Sequence, residues 1–142
     1  MQKSRITAVT LILAAALGST ALAQIVSPPP MPLEGTFWRA VVVGDRQLSS
    51  SSVPGPYLVF EHTGRVSGSD GCNRLAGDFN VNAEVVTFAR MESTYKMCVG
   101  IHDVQRMFDR ALTDARRLVI VGDQLELFDA SNRPLAIFRP AL

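Results

Sequence analysis

Cysteine, aspartate and serine side chains are concentrated in one glycine-rich stretch, and these residue types can supply nucleophiles or acids. The stretch covers residues 67–79 and contains Cys72; the chain's other cysteine is Cys98. A cysteine or serine nucleophile needs a base held against it. The two histidines, His62 and His102, have no spacing that suggests pairing with a nucleophile. The sequence therefore contains no catalytic constellation, and we expect no enzymatic activity.

Metal binding is not favoured by the ligand types either. A zinc site needs about four nitrogen or sulfur ligands, and here two cysteines and two histidines would have to converge from four separate segments. The aspartates Asp70, Asp78 and Asp123 lie beside or near glycines, where aspartate commonly serves a turn. They lack the dense oxygen-ligand loop of a calcium site. We therefore predict no metal and no cofactor.

The first 23 residues have the layout of a secretory signal peptide. Lys3 and Arg5 give a positive start, residues 6–17 form an apolar run, and residues 21–23 (Ala-Leu-Ala) form a small-x-small cleavage site. The apolar run is shorter than the ~20 residues that span a bilayer, so an uncleaved anchor is the less favoured alternative. We expect a mature protein without a transmembrane segment, located in the periplasm or secreted.

The charge of the mature chain argues against nucleic acid as a partner. The full chain has 14 basic and 13 acidic residues, and loss of Lys3 and Arg5 leaves 12 basic residues against 13 acidic ones. Nucleic-acid binding needs a clustered basic face. The only basic cluster lies at residues 106–117, where arginines alternate with aspartates as on a solvated helix face.

The remaining chain predicts one small domain of the α+β class. Residues 24–32 contain four prolines and favour an extended linker, and residues 33–141 are the length of a single domain. Short β-branched and aromatic runs separated by turn residues predict a β-rich antiparallel meander or a partly closed barrel of about seven to eight short strands. One helix is expected to pack across it, because apolar residues recur at helical spacing at Ile101, Val104, Met107, Phe108, Ala111, Leu112 and Ala115.

The two cysteines predict a disulfide between Cys72 and Cys98, because paired cysteines in an exported chain are usually oxidised. Free thiols in a buried contact and a catalytic thiol are the alternatives. The bond would close a loop of 27 residues (98 − 72 + 1), and the chain-entropy model gives such a cross-link roughly 3–4 kcal/mol of stabilisation.

Three separated segments resemble the META/HslJ domain family, also called DUF306. Residues 66–79 resemble the family's SG-x-x-GCN-x-x-x-G-x-Y/F segment, and residues 33–38 resemble its start. Residues 93–98 are similar to its ST-x-x-MAC segment, without the alanine between methionine and cysteine. The family's motif positions carry over as Gly71, Cys72, Asn73, Thr94, Met97 and Cys98.

The resemblance implies an exported bacterial envelope protein, in a family with some links to heat shock or drug tolerance and no agreed enzymatic activity. We expect Asn73 to bond turn backbone and Met97 to fill a gap in the core. A contact surface is expected where the two motifs meet, with Arg74, Tyr95 and Lys96 exposed on a monomer. Its partner would be a protein, a peptide or a small molecule. A hydrolase or transferase that uses a cysteine, aspartate or serine of the glycine-rich segment is the alternative function.

Overall fold

The computed structural model describes residues 27–49 and 55–141. The predicted signal peptide, residues 1–23, lies outside the described residues. Nine strands and one helix follow each other in the order β1 (Phe37–Val43), β2 (Arg46–Gln47), β3 (Tyr57–Phe60), β4 (Arg65–Ser69), β5 (Arg74–Asn82), β6 (Val85–Ser93), α1 (His102–Asp114), β7 (Arg117–Val121), β8 (Gln124–Phe128) and β9 (Pro134–Pro140).

All strand pairs are antiparallel and form one sheet, in the order β2-β1-β3-β4-β5-β6-β7-β8-β9. A further pairing of β1 with β9 closes the sheet into a ring. The ring is weak at one seam, because β6 and β7 pair only at Val85 and Arg117. The predicted β-rich α+β fold with a partly closed barrel is confirmed; the two-residue β2 brings the strand number to nine.

The core lies inside the ring, where alternate strand residues point inward. Trp38 is fully buried, and its indole N–H donates to the carbonyl of Leu33 at 2.9 Å. The other large side chains that are fully buried are Phe60, Phe108, Phe138, Leu58, Leu125, Leu127, Val43, Val66 and Val86.

Helix α1 contributes the apolar stripe that the sequence predicts. Phe108, Ala111 and Leu112 are its buried residues. The helix packs against β1 and β9, where Phe108 meets Phe138 edge-on with ring centroids 6.1 Å apart. Its last carbonyls are satisfied by Arg116, whose guanidinium donates to Thr113 and Ala115. The helix therefore lies across the barrel as a lid over the core.

Gly68 marks the closest backbone approach in the sheet. A Cβ at this position would lie 2.1 Å from the carbonyl oxygen of Tyr57. We therefore predict that Gly68→Ala lowers the free energy of unfolding by about 3 kcal/mol, because backbone must shift to relieve the overlap. Chemical denaturation measures the loss. Gly55→Ala is the control, since no atom lies within 4 Å of a Cβ there; equal stability of the two variants would contradict the prediction.

Candidate functional site

The glycine-rich turn, residues 69–74, is shaped by the carboxylate of Asp70. This residue is only 2% exposed, and its Oδ1 accepts the backbone N–H groups of Cys72 at 2.8 Å and Asn73 at 2.6 Å. Gly71 follows it with a φ of 98°, a conformation that favours glycine. The aspartate thus accepts the backbone N–H groups that have no backbone acceptor within the tight turn.

The same carboxylate joins the turn to helix α1. Its Oδ2 accepts the side-chain amide of Gln105 at 3.2 Å and that of Asn73 at 3.4 Å. A buried charge is tolerated when hydrogen bonds replace the lost water, and four N–H donors meet this requirement. Asp70 is therefore a structural anchor between the β4–β5 connection and the helix.

Asn73 connects the turn to the loop that joins β6 to α1, which we call the connecting loop (residues 94–101). Its Oδ1 accepts the backbone N–H of Lys96 at 2.7 Å and the hydroxyl of Thr94 at 3.2 Å. Thr94 also forms two hydrogen bonds with the backbone of Arg74. Its Oγ1 accepts the backbone N–H of Arg74 at 3.0 Å, and its own backbone N–H donates to the carbonyl of Arg74 at 3.1 Å. The two motifs are thus neighbours, and the asparagine bonds backbone of the opposite segment.

A disulfide between Cys72 and Cys98 makes the second connection, with the two Cα atoms 6.0 Å apart. The predicted pairing is confirmed. Both cysteines of the chain are consumed by it, so neither is a free thiol in this structure.

The connecting loop exposes large apolar side chains at alternate positions. Tyr95 is 96% exposed, Met97 85% and Val99 99%. Between them, the backbone N–H of Lys96 and the sulfur of Cys98 are bonded to the glycine-rich turn. The loop is therefore held to the protein by backbone and sulfur, while the side chains of residues 95, 97 and 99 remain exposed.

The expectation that Met97 fills a core gap is wrong. The side chain of Met97 is 85% exposed, because the loop is bonded to the glycine-rich turn through the backbone N–H of Lys96 and the sulfur of Cys98 and not through the methionine. The expectation that Tyr95 and Lys96 are exposed holds, and Arg74 is exposed beside them.

A depression of about 640 Å³ separates the connecting loop from helix α1. Asp70 and Asn73 line it together with Ser93 of β6 and loop residues 94–97, and the helix contributes His102, Gln105, Arg106 and Asp109. His62, the other histidine, lies elsewhere and bonds the carboxylate of Glu34. No cluster of three or more metal-binding side chains exists among residues 27–49 and 55–141.

Asp109 is the group in this depression whose protonation is perturbed. Burial raises the pKa of its carboxyl above the ordinary value, and the negative charge of Asp70 raises it further. A carboxyl with a raised folded-state pKa contributes most to stability when protonated, and the contribution falls as the pH rises through that pKa. At neutral pH, the charge on Asp109 therefore opposes folding.

Gln105 and Asp109 are site residues that the sequence reasoning missed. They lie four positions apart on α1 and therefore share one face, along the border of the apolar stripe. The spacing was available in the sequence, but nothing local shows that this face meets the glycine-rich turn.

Helix α1, with 13 residues, is not long and apolar enough to cross a membrane, and the described residues contain no other helix.

The chain's similarities to known proteins follow its fold. A family model described as the META domain matches residues 31–141. An NMR structure with 19% sequence identity covers 75% of this chain and 90% of its own length, with a TM-score of 0.62. An NMR structure of a protein from Burkholderia xenovorans has 21% identity, covers 91% of this chain and 99% of its own, and gives a TM-score of 0.63.

A crystal structure of a DUF4847 family protein from Bacteroides vulgatus ATCC 8482 has 17% identity and a TM-score of 0.50 over 60% of this chain and 58% of that one. At these identities the likeness establishes the fold alone. The comparison with curated proteins found no match.

The disulfide is expected to stabilise the domain by roughly 3–4 kcal/mol, because it closes a 27-residue loop in the unfolded chain. The double variant Cys72→Ser, Cys98→Ser should therefore melt about 15 °C below the wild type. Thermal unfolding followed by circular dichroism measures the difference. Reduced wild-type protein should melt at the same temperature as the double variant. The assignment would be contradicted if the wild type melted at that temperature both with and without reductant.

Proposed function

The chain belongs to the META domain family, and we propose that it acts in the bacterial envelope as a non-catalytic binding module that contributes to stress tolerance. Its partner is a protein, a peptide or a small molecule. The contact surface consists of the connecting loop and the adjacent edge of the glycine-rich turn, with Arg74, Tyr95 and Lys96 as contact residues and Met97 and Val99 beside them.

The observation that carries this proposal is the exposed apolar row on an anchored loop. Single exposed apolar side chains are normal on protein surfaces, but here three lie at alternate positions of one short segment and are almost fully exposed. Two hydrogen bonds to Asn73 and a disulfide hold that segment in place. Ordering a loop before binding reduces the entropy cost of binding, and tyrosine and arginine are enriched among residues that dominate interfaces.

The alternative, a hydrolase or transferase, would need an available nucleophile or acid in the glycine-rich turn. Cys72 is in a disulfide, and both carboxylate oxygens of Asp70 accept hydrogen bonds from the protein. The hydroxyl of Ser69 accepts the N–H of Gly71 at 3.1 Å and has no base among its hydrogen-bond partners. These engagements support a binding role.

Export is tested by the N-terminus of the protein isolated from cells. A positively charged start, an apolar run and a small-x-small site should direct cleavage after Ala23, so mass spectrometry of the envelope and medium fractions should find Gln24 as the first residue. Intact protein beginning at Met1 in the membrane fraction would refute the proposal.

The contact surface is tested by survival of heat or drug stress in cells that lack the gene and carry a variant copy. Tyr95→Ser with Met97→Ser, and separately Arg74→Ala with Lys96→Ala, should abolish complementation, because each pair removes exposed contact area or charge without touching the core. Val121→Ser is the control, since Val121 is an exposed apolar residue outside the loop. Each variant should melt close to the wild type, as surface substitutions usually do. Full stress tolerance with both double variants would reject this surface.

A further inference from the structure

Strand β6 has a partner on only one side for most of its length. It pairs with β5 from Val85 to Ser93, but with β7 only at Val85. Two backbone bonds flank that point, from Val86 to Arg116 and from Leu118 to Glu84. Beyond them, residues 87–93 face no strand on the outer side anywhere in the part of the chain that the structure describes.

The backbone groups of Phe88 are directed to this open edge. In a strand the N–H groups of residues two apart point the same way, and the N–H of Val86 points outward to the carbonyl of Arg116 at 3.0 Å. The N–H and carbonyl of Phe88 therefore also point outward, where β7 has already diverged. Unpaired strand edges of this kind are templates for another extended chain.

A groove of about 350 Å³ runs between this edge and helix α1. Leu75, Phe88, Met91 and Leu112 give it an apolar floor, and residues 89–93 and Asp109 complete its walls. Phe88 and Met91 are only partly buried although they pack against the core. The groove thus offers apolar side-chain sites next to unpaired backbone groups.

The negative charge of Asp109 determines which kind of side chain can bind beside the groove. The carboxylate of Asp109 takes part in no ion pair within the described residues. Two of the nearby cations are paired elsewhere, Arg90 with Asp78 and Arg106 with Asp103, while the side chain of Lys96 is exposed on the connecting loop. A second negative charge, Asp70, lies close enough to disfavour ionisation of Asp109. A positively charged side chain at this place would relieve that repulsion.

We propose that an extended peptide adds as a strand to the outer edge of β6 and places a lysine or arginine side chain beside Asp109. Main-chain bonds would be made at Phe88, and apolar residues two positions from the basic residue, which share its face of the added strand, would contact Met91 and Leu112. The added strand is short, because Arg90 has a φ of 50° and interrupts the regular edge. This surface needs neither Tyr95 nor Lys96, although Asp109 also lines the depression beside the connecting loop.

The test is a titration of the ¹⁵N-labelled protein with the peptide acetyl-Val-Thr-Lys-Thr-Val-amide, followed by amide shifts. Saturable shifts are expected at Phe88 and its neighbours in β6 and at Asp109. The same peptide with glutamate in place of lysine should not bind. Of two N-methylated peptides, one blocked at its threonine nitrogens and one at its lysine and valine nitrogens, only one should bind, because alternate N–H groups of an added strand face β6.

Asp109→Asn should weaken binding of the lysine peptide about fivefold, the effect of losing one partly exposed ion pair. The variant should remain folded, since it removes a charge that opposes folding. Asp114→Asn is the matched control on the same helix; Asp114 is exposed and lines neither the groove nor the depression, and this variant should bind as the wild type does.

Equal binding of the lysine and glutamate peptides, or unchanged affinity in Asp109→Asn, would overturn the proposal. Amide shifts confined to residues 94–101 would also overturn it. So would the absence of peptide binding in a protein that sediments as a dimer, in which a second copy would occupy the edge of β6. Tyr95→Ser should bind the peptide normally, so loss of stress tolerance in that variant and loss of peptide binding in Asp109→Asn report on the two surfaces separately.

Discussion

The arrangement of the candidate site depends on one buried carboxylate. Asp70 is almost completely removed from water, and an unsatisfied carboxylate in that position would cost several kcal/mol. Its four donors come from the glycine-rich turn itself, from the side chain of Asn73 and from Gln105 of helix α1. Satisfying this charge therefore fixes the turn, the asparagine and the helix relative to one another.

The consequence of that constraint is transmitted through Asn73. With its amide group held by Asp70, the carbonyl oxygen of Asn73 faces the connecting loop and accepts Lys96 and Thr94. The disulfide adds a second connection, from Cys72, next to Asn73, to Cys98, two residues after Lys96. The loop is therefore held at residues 94, 96 and 98, while the apolar side chains of residues 95, 97 and 99 remain exposed.

Local patterns in the sequence were sufficient for the fold class. The period of α1, the burial of Trp38 and the pairing of Cys72 with Cys98 each follow from residue type, spacing or compartment. The short pairing between β6 and β7 cannot be predicted from local patterns, because it depends on how the strands of the closed ring tilt relative to one another. Tertiary structure also decides two residues that local sequence does not. Met97 is apolar and yet exposed, and the pKa of Asp109 depends on Asp70, which lies in a distant segment of the chain.

The two proposed binding surfaces, the outer edge of β6 and the connecting loop that follows it, present the same physical problem. An edge strand that is left unpaired and an apolar row that is left exposed both carry a risk of aggregation. Here, each is restrained: Arg90 interrupts the edge with a positive φ, and the apolar row is confined to a loop anchored at alternate residues. Asp109 is retained next to Asp70 although its charge opposes folding at neutral pH. Residues that reduce stability while lining a groove are expected where a protein binds something, because a partner of opposite charge can recover the free energy that the isolated domain gives up.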